Sequence, residues 1–127
     1  KTILTQGIAM GLGIQGTVTS PTFTVLEIHE GAHTLYHYDL YRLENSQELQ
    51  DIGFEEFSGP GGITIIEWAN KFTDILPEHS LWVTLSCSDN GLSREITLKA
   101  QGNRYQTLLT EVRTVADSRF RHNHPGV

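Results

Sequence analysis

The opening stretch of the chain places an apolar residue at every fourth position, Leu4, Ile8 and Leu12, with Ile3 and Met10 beside them. That spacing follows the helical turn and predicts an amphipathic helix over residues 2–12, with Gly13 as its stop. Gly7 and Gly11 each weaken such a helix by about 1 kcal/mol relative to alanine, but they would let another backbone approach closely. The period then shortens. Residues 21–30 are rich in Thr, Val, Ile and Phe, Glu30-Gly31-Ala32 supplies a turn, and residues 34–40 form a second β-like run, which together predict a hairpin. In residues 44–56, Leu49, Ile52 and the nearby Phe57 lie among polar and charged neighbours, as in one or two short helices with Asn45 or Ser46 as the N-cap. Ser58-Gly59-Pro60-Gly61-Gly62 breaks the pattern. Ile63-Thr64-Ile65-Ile66 then ends on Glu67, as expected of a strand buried on both faces. Alternation returns over residues 81–88 and 94–99 around Asp89-Asn90-Gly91, a second hairpin. Leu108, Leu109, Val112, Val115, Ala116 and Phe120 recur at helical spacing and predict a C-terminal helix over residues 104–120, followed by a frayed tail.

Strands interleaved with helices over 127 residues, 38% of them hydrophobic, predict a single α/β domain with one core. Charge narrows the function classes. Nine basic residues stand against fifteen acidic ones, a formal net charge of −6, which speaks against stable DNA binding by phosphate neutralisation and predicts that any contact with RNA needs a partner. The single cysteine, Cys87, allows no internal disulfide, zinc knuckle or CxxC redox site, and reads as an inert thiol. No apolar run approaches the roughly 18 to 20 residues of a membrane span, and no signal-peptide pattern opens the chain. A cytoplasmic protein with no membrane association is expected. The start on Lys1-Thr2, without an initiator methionine, reads as a cut.

Four segments could carry chemistry. Lys1-Thr2 heads the first helix and matches the last two positions of G-x-x-x-x-G-K-[ST], in which lysine meets the β and γ phosphates and threonine binds magnesium. Alone, such a pair is more often a solvated helix start. In His37-Tyr38-Asp39-Leu40-Tyr41-Arg42 the strand period puts His37, Asp39 and Tyr41 on one face, so an imidazole and a carboxylate emerge side by side and could hold a hydrated metal. The alternative is a surface-facing strand edge with an Asp39-to-Arg42 ion pair. Ile63-Thr64-Ile65-Ile66-Glu67-Trp68 delivers a carboxylate at the C-terminal end of an apolar strand, where open α/β sheets bind ligands; an ordinary strand followed by a polar turn competes with that reading. Trp68 is a candidate nucleotide contact or reporter, with rim packing as its plainer role. Thr19-Ser20-Pro21-Thr22-Phe23-Thr24 is a hydroxyl-rich loop of the kind that reaches a γ-phosphate or its metal, with Ser20 and Thr22 as candidates. His29, His33 and His37 are spaced by four, but the hairpin around Gly31 argues against a helical metal site. These residues leave open an ATPase, a non-catalytic α/β interaction domain and a small P-loop kinase.

Taken in order, the chain resembles the TsaE (YjeE) family over nearly its whole length: Lys1-Thr2, Ser20-Pro21-Thr22-Phe23-Thr24, His37-Tyr38-Asp39-Leu40-Tyr41-Arg42-Leu43 and Ile66-Glu67-Trp68. The S-P-T-[FY] and H-x-D-x-Y-R blocks followed by E-W are the specific part. The resemblance implies a P-loop NTPase-like three-layer sandwich, with a central mostly parallel sheet and antiparallel hairpin additions. It implies that a helix, a strand and a glycine-rich phosphate loop precede Lys1, so that the chain as given lacks them and binds ATP poorly. It further implies an ATP-binding and ATP-hydrolysing accessory protein that uses ATP and Mg2+. Such a protein acts with TsaB and TsaD to form the threonylcarbamoyl group on adenosine in tRNAs that read codons beginning with A, meeting tRNA only through that complex. By position, Lys1 holds phosphates and Thr2 the magnesium. Asp39 supports the magnesium directly or through water, Glu67 is the acidic residue of hydrolysis and a metal-shell residue, and Ser20 and Thr22 form a switch-like loop.

Overall fold

The computed structural model describes residues 2–14, 16, 18, 24–54, 62–74 and 76–123, with only the backbone described at residues 2 and 119–123. Two compact units divide the chain, Lys1–Leu76 and Pro77–Val127.

The first unit is built on a three-stranded sheet of order β1-β2-β3. Its outer strand β1 (Leu26–His29) and the central strand β2 (Thr34–Asp39) form the expected hairpin, in register from Leu26 opposite Tyr38 to His29 opposite Leu35. β3 (Gly62–Glu67) lies parallel to β2, from Thr34 beside Gly62 to Asp39 beside Glu67. Strand alternation then divides the side chains between two faces. On one face Leu35, Ile63 and Ile65 pack with Ala9, Leu12, Ile14 and Val18 from and after α1 (Thr2–Gly11). On the other, Tyr38 and Leu40 pack with Leu43, Phe54, Phe72 and Leu49, the last from α2 (Ser46–Asp51). Full burial of a leucine such as Leu35, Leu40 or Leu49 contributes roughly 1.5 to 3 kcal/mol.

The first helix exists where its period places it, but it buries a different face. Thr5 and Ala9 are the deeply buried positions, whereas Ile3 and Met10 are each 78% exposed and Leu4 and Ile8 are more than one-third exposed. At Gly7 and Gly11 a Cβ would meet nothing within 4 Å among the described residues. The close approach occurs just past the helix end. Gly13 ends the helix with a positive φ of 75°, and a Cβ on Gly31 would fall 2.8 Å from Ile14 Cγ1 and 3.1 Å from Gly13 O. Only glycine at position 31 lets the hairpin turn meet the exit of α1.

β3 departs from expectation too. Residues 62–66 are half-buried rather than enclosed on both faces, because β3 is hydrogen-bonded to β2 alone among the described residues. Residues 58–61, read as a breaker, lie outside the described residues. α2 begins where Asn45 accepts from Glu48 N at 3.0 Å, and Glu48 reaches back to Glu44 N at 3.3 Å. Asn45→Ala is expected to destabilise this unit by about 1 kcal/mol, read as a lower urea midpoint at unchanged slope.

The second unit pairs β4 (Ser80–Cys87) with β5 (Arg94–Gln101) as an antiparallel hairpin, followed by α3 (Asn103–Asn123). The turn at 88–93 is tied by Asn90, whose Oδ1 accepts from Leu92 N at 3.0 Å, and by Gly91 N donating to Ser88 O at 2.9 Å. Across the described residues of both units, one strand pairing is parallel and two are antiparallel. No helix among them is long and apolar enough to cross a membrane.

Candidate functional site

The sheet of the first unit ends on two carboxylates. Asp39 is the last residue of β2 and Glu67 the last of β3, and the parallel register sets them side by side. Both are buried, at 3% and 8% exposure. Parallel pairing is what makes this meeting possible: it aligns the C-terminal ends of strands whose last residues are 28 positions apart. Backbone bonds hold the ends in place, with Asp39 N donating to Val25 O at 2.8 Å and Leu40 N to Glu67 O at 3.1 Å.

α1 covers one face of this sheet. Its exit abuts the β1–β2 turn at Gly31, and Thr5 and Ala9, one turn apart, are both buried. Ala9 of this helix packs with Leu35, on the sheet face that also carries His37 and Asp39. Thr2 is the first residue of the helix, and its side chain lies outside the described atoms. Lys1, Ser20 and Thr22 lie outside the described residues.

His37 does not emerge as a metal-facing imidazole. It is fully buried, and its Nε2 lies 2.6 Å from Glu67 Oε2. The alternative of a surface-facing strand edge is likewise overturned, because β2 is the central strand and both His37 and Asp39 are buried. This contact across 30 residues had a partial signal in the sequence, since strand period puts His37 and Asp39 on one face and Ile65 and Glu67 on one face. The parallel register that joins the two faces could not be read from either segment. Nδ1 of His37 is buried without a hydrogen-bond partner among the described residues.

Around the carboxylates the chain is tied by contacts that the sequence reading missed. Asp39 Oδ1 accepts from Tyr41 N at 3.0 Å, which turns the chain sharply after β2. Lys71 Nζ donates to Tyr41 O at 2.7 Å and stands 5.9 Å from the Tyr41 ring centroid. The Tyr41 and Trp68 rings lie 5.1 Å apart, tilted by 50°. Trp68 is 38% exposed and takes a left-handed backbone conformation, φ 61° and ψ 33°, which costs a non-glycine residue on the order of 1 to 2 kcal/mol. Trp68 is thus placed on the rim of the carboxylate edge, against Tyr41. Among the described residues no group of three or more His, Cys, Asp and Glu side chains is arranged to hold a metal.

Residues 1–96 match the family model described as threonylcarbamoyl adenosine biosynthesis protein TsaE. The chain is 43% identical over 98 residues to the tRNA threonylcarbamoyladenosine biosynthesis protein TsaE of Treponema pallidum, covering 77% of this chain and 72% of that one. It is 41% identical over 113 residues to the protein of the same name in Bacillus subtilis, covering 88% and 70%, and 41% identical over 104 residues to that of Haemophilus influenzae, covering 81% and 65%. The crystal structure of YdiB from Bacillus subtilis superposes with a TM-score of 0.75 at 33% identity, covering 91% of this chain and 70% of that one. With the family model spanning the carboxylate edge and both hairpins' first strands, the chain belongs to the TsaE family of threonylcarbamoyl adenosine biosynthesis proteins.

Proposed function

We propose that the full-length protein is an ATP-binding and ATP-hydrolysing accessory protein in the formation of threonylcarbamoyladenosine in tRNA, acting with TsaB and TsaD and meeting tRNA through them. The observation that carries this reading is the buried pair Asp39 and Glu67, adjacent in register at the end of the sheet. Membership in a family named for this biosynthesis supplies the pathway. On this reading the first unit is a P-loop fold and the hydrolysing centre lies at its strand ends.

The two carboxylates suit magnesium. Carboxylate oxygens are the donors a hard cation takes, and magnesium is commonly held by one or two carboxylates together with substrate phosphates rather than by an all-protein cage. That pattern suits a site with two adjacent carboxylates and no three-residue chelating group among the described residues. Bound magnesium would neutralise charge on the β and γ phosphates. Thr2 and Asp39 would hold it, with Glu67 in its water shell, and Lys1 would neutralise the phosphates at the helix N-terminus. Glu67 would orient the attacking water. Ser20 and Thr22 would sense the γ-phosphate and the partner, and Trp68 would report occupancy from the rim.

The test is ATP hydrolysis by the full-length protein with and without magnesium, and with TsaB and TsaD added. Magnesium-dependent turnover that rises with the partners is expected. In a Trp82→Phe background, Trp68 fluorescence is expected to change on addition of Mg-ATP. A full-length protein that neither binds nor hydrolyses ATP in the presence of both partners would leave the domain a non-catalytic interaction module.

A further inference from the structure

Glu67 has one bonding partner for its carboxylate among the described residues, and that partner is His37. The contact is short, 2.6 Å between Nε2 and Oε2, and the side chains are 0% and 8% exposed. Among the described residues of this sheet face, Asp39 is the adjacent titratable group along β2, and Leu35, Ile63 and Ile65 are apolar.

The environment selects a tautomer. With the proton on Nε2, His37 donates to the carboxylate and leaves Nδ1 as a bare acceptor. With the proton on Nδ1, or with both nitrogens protonated, a buried N–H would be left with no described partner. An unsatisfied donor is the rarer outcome in folded proteins, so donation from Nε2 to the carboxylate is the arrangement the geometry favours. A histidine held this way restrains the carboxylate. It commits Oε2 to the protein and leaves Oε1 to act.

We infer that His37 is the positioning residue of the hydrolytic carboxylate: its Nε2–H anchors Glu67 Oε2 in one rotamer, so that Glu67 works through a single oxygen, Oε1, at the ligand edge. The inference rests on the ATPase reading for its consequence, but the bond itself is a property of this chain. His37 is the second residue before Asp39 on the same strand face, so one strand supplies both a carboxylate of the edge and the brace for the other.

Two measurements test it. The imidazole nitrogen NMR spectrum of the full-length protein should show His37 protonated at Nε2 and bare at Nδ1, with the Nε2 signal shifted in Glu67→Gln. In parallel, His37→Leu should lower kcat for ATP hydrolysis by about 10 to 100-fold, the effect of a small misplacement of a reacting group, with Mg-ATP affinity within about threefold of wild type. His37→Gln, whose amide reaches roughly where Nε2 stood, should recover most of kcat. If His37→Leu does not fold by circular dichroism, His37→Asn, whose shorter amide cannot reach Oε2, takes its place in the comparison. A His37 protonated at Nδ1, a folded His37→Leu with wild-type kcat, or a His37→Gln no better than His37→Leu would each overturn the inference. A wild-type protein that does not hydrolyse ATP defeats the functional reading instead, and the nitrogen spectrum then decides by itself whether His37 braces Glu67.

Discussion

Glu67→Gln is expected to lower ATP turnover of the full-length protein by about 100 to 1000-fold, the range seen when one aligned polar group is removed from a reacting centre, while ATP affinity and thermal stability stay close to wild type. Glutamine keeps the length of the side chain and an oxygen that can accept from His37, so the buried imidazole retains its partner. What disappears is the negative charge at the end of β3. Glu67→Ala removes that charge too, but it also strands His37 Nε2 inside the unit, where no other described side chain bonds to it. Leaving a buried donor unsatisfied costs about 1 to 3 kcal/mol. The pair of variants therefore separates chemistry from packing: both should fail to hydrolyse ATP, and only Glu67→Ala should also unfold earlier. Steady-state hydrolysis, equilibrium nucleotide binding and urea unfolding of both proteins check this. A Glu67→Gln protein with wild-type turnover would remove Glu67 from the hydrolytic role.

Much of this site was legible before any coordinates. The run Ile63-Thr64-Ile65-Ile66-Glu67 predicts a strand that ends on an acid, and Glu67 closes β3. The alternation through residues 37–41 predicts that His37 and Asp39 share a face, and both are buried on the central strand. Local periodicity carries this information because a strand's two faces are fixed by its own backbone. What it does not carry is the partner. His37 was read as a metal-facing group because its neighbour across the sheet lies 30 residues away, and only the parallel register turns the imidazole into a brace. α1 fails for a related reason. Leu4, Ile8 and Leu12 define its most apolar stripe, yet Thr5 and Ala9 are the deeply buried positions, with Leu4 and Ile8 more than one-third exposed. Periodicity within the helix shows which face is apolar, and the partner that buries a face lies elsewhere in the chain. Turn chemistry transferred best: Asn45 caps α2 and Gly13 ends α1, each through an interaction within a few residues.

Leu40→Ala is expected to have the opposite signature to Glu67→Gln, a large loss of stability with little change in chemistry. Leu40 directly follows Asp39 and is fully buried, but its side chain lies on the far face of the sheet with Tyr38, Leu43, Leu49, Phe54 and Phe72. Truncation there removes three carbons from a rigid cluster that includes the edge-to-face pair of Tyr38 and Phe54, whose ring centroids are 5.1 Å apart. Such cavities cost about 2 to 5 kcal/mol, which at a urea slope of roughly 1 to 3 kcal/mol per molar lowers the midpoint by about 1 to 3 M. The backbone bond from Leu40 N to Glu67 O, 3.1 Å long, survives the change because alanine keeps the donor. The ends of β2 and β3 therefore remain joined, and Asp39 and Glu67 keep their register. Well below the unfolding temperature, turnover per folded molecule should stay within about threefold of wild type, since the cavity does not reach the reacting edge. A folded Leu40→Ala protein whose turnover falls as far as that of Glu67→Gln would mean that the core behind β2, and not the backbone tie between the strand ends, sets the geometry of the two carboxylates.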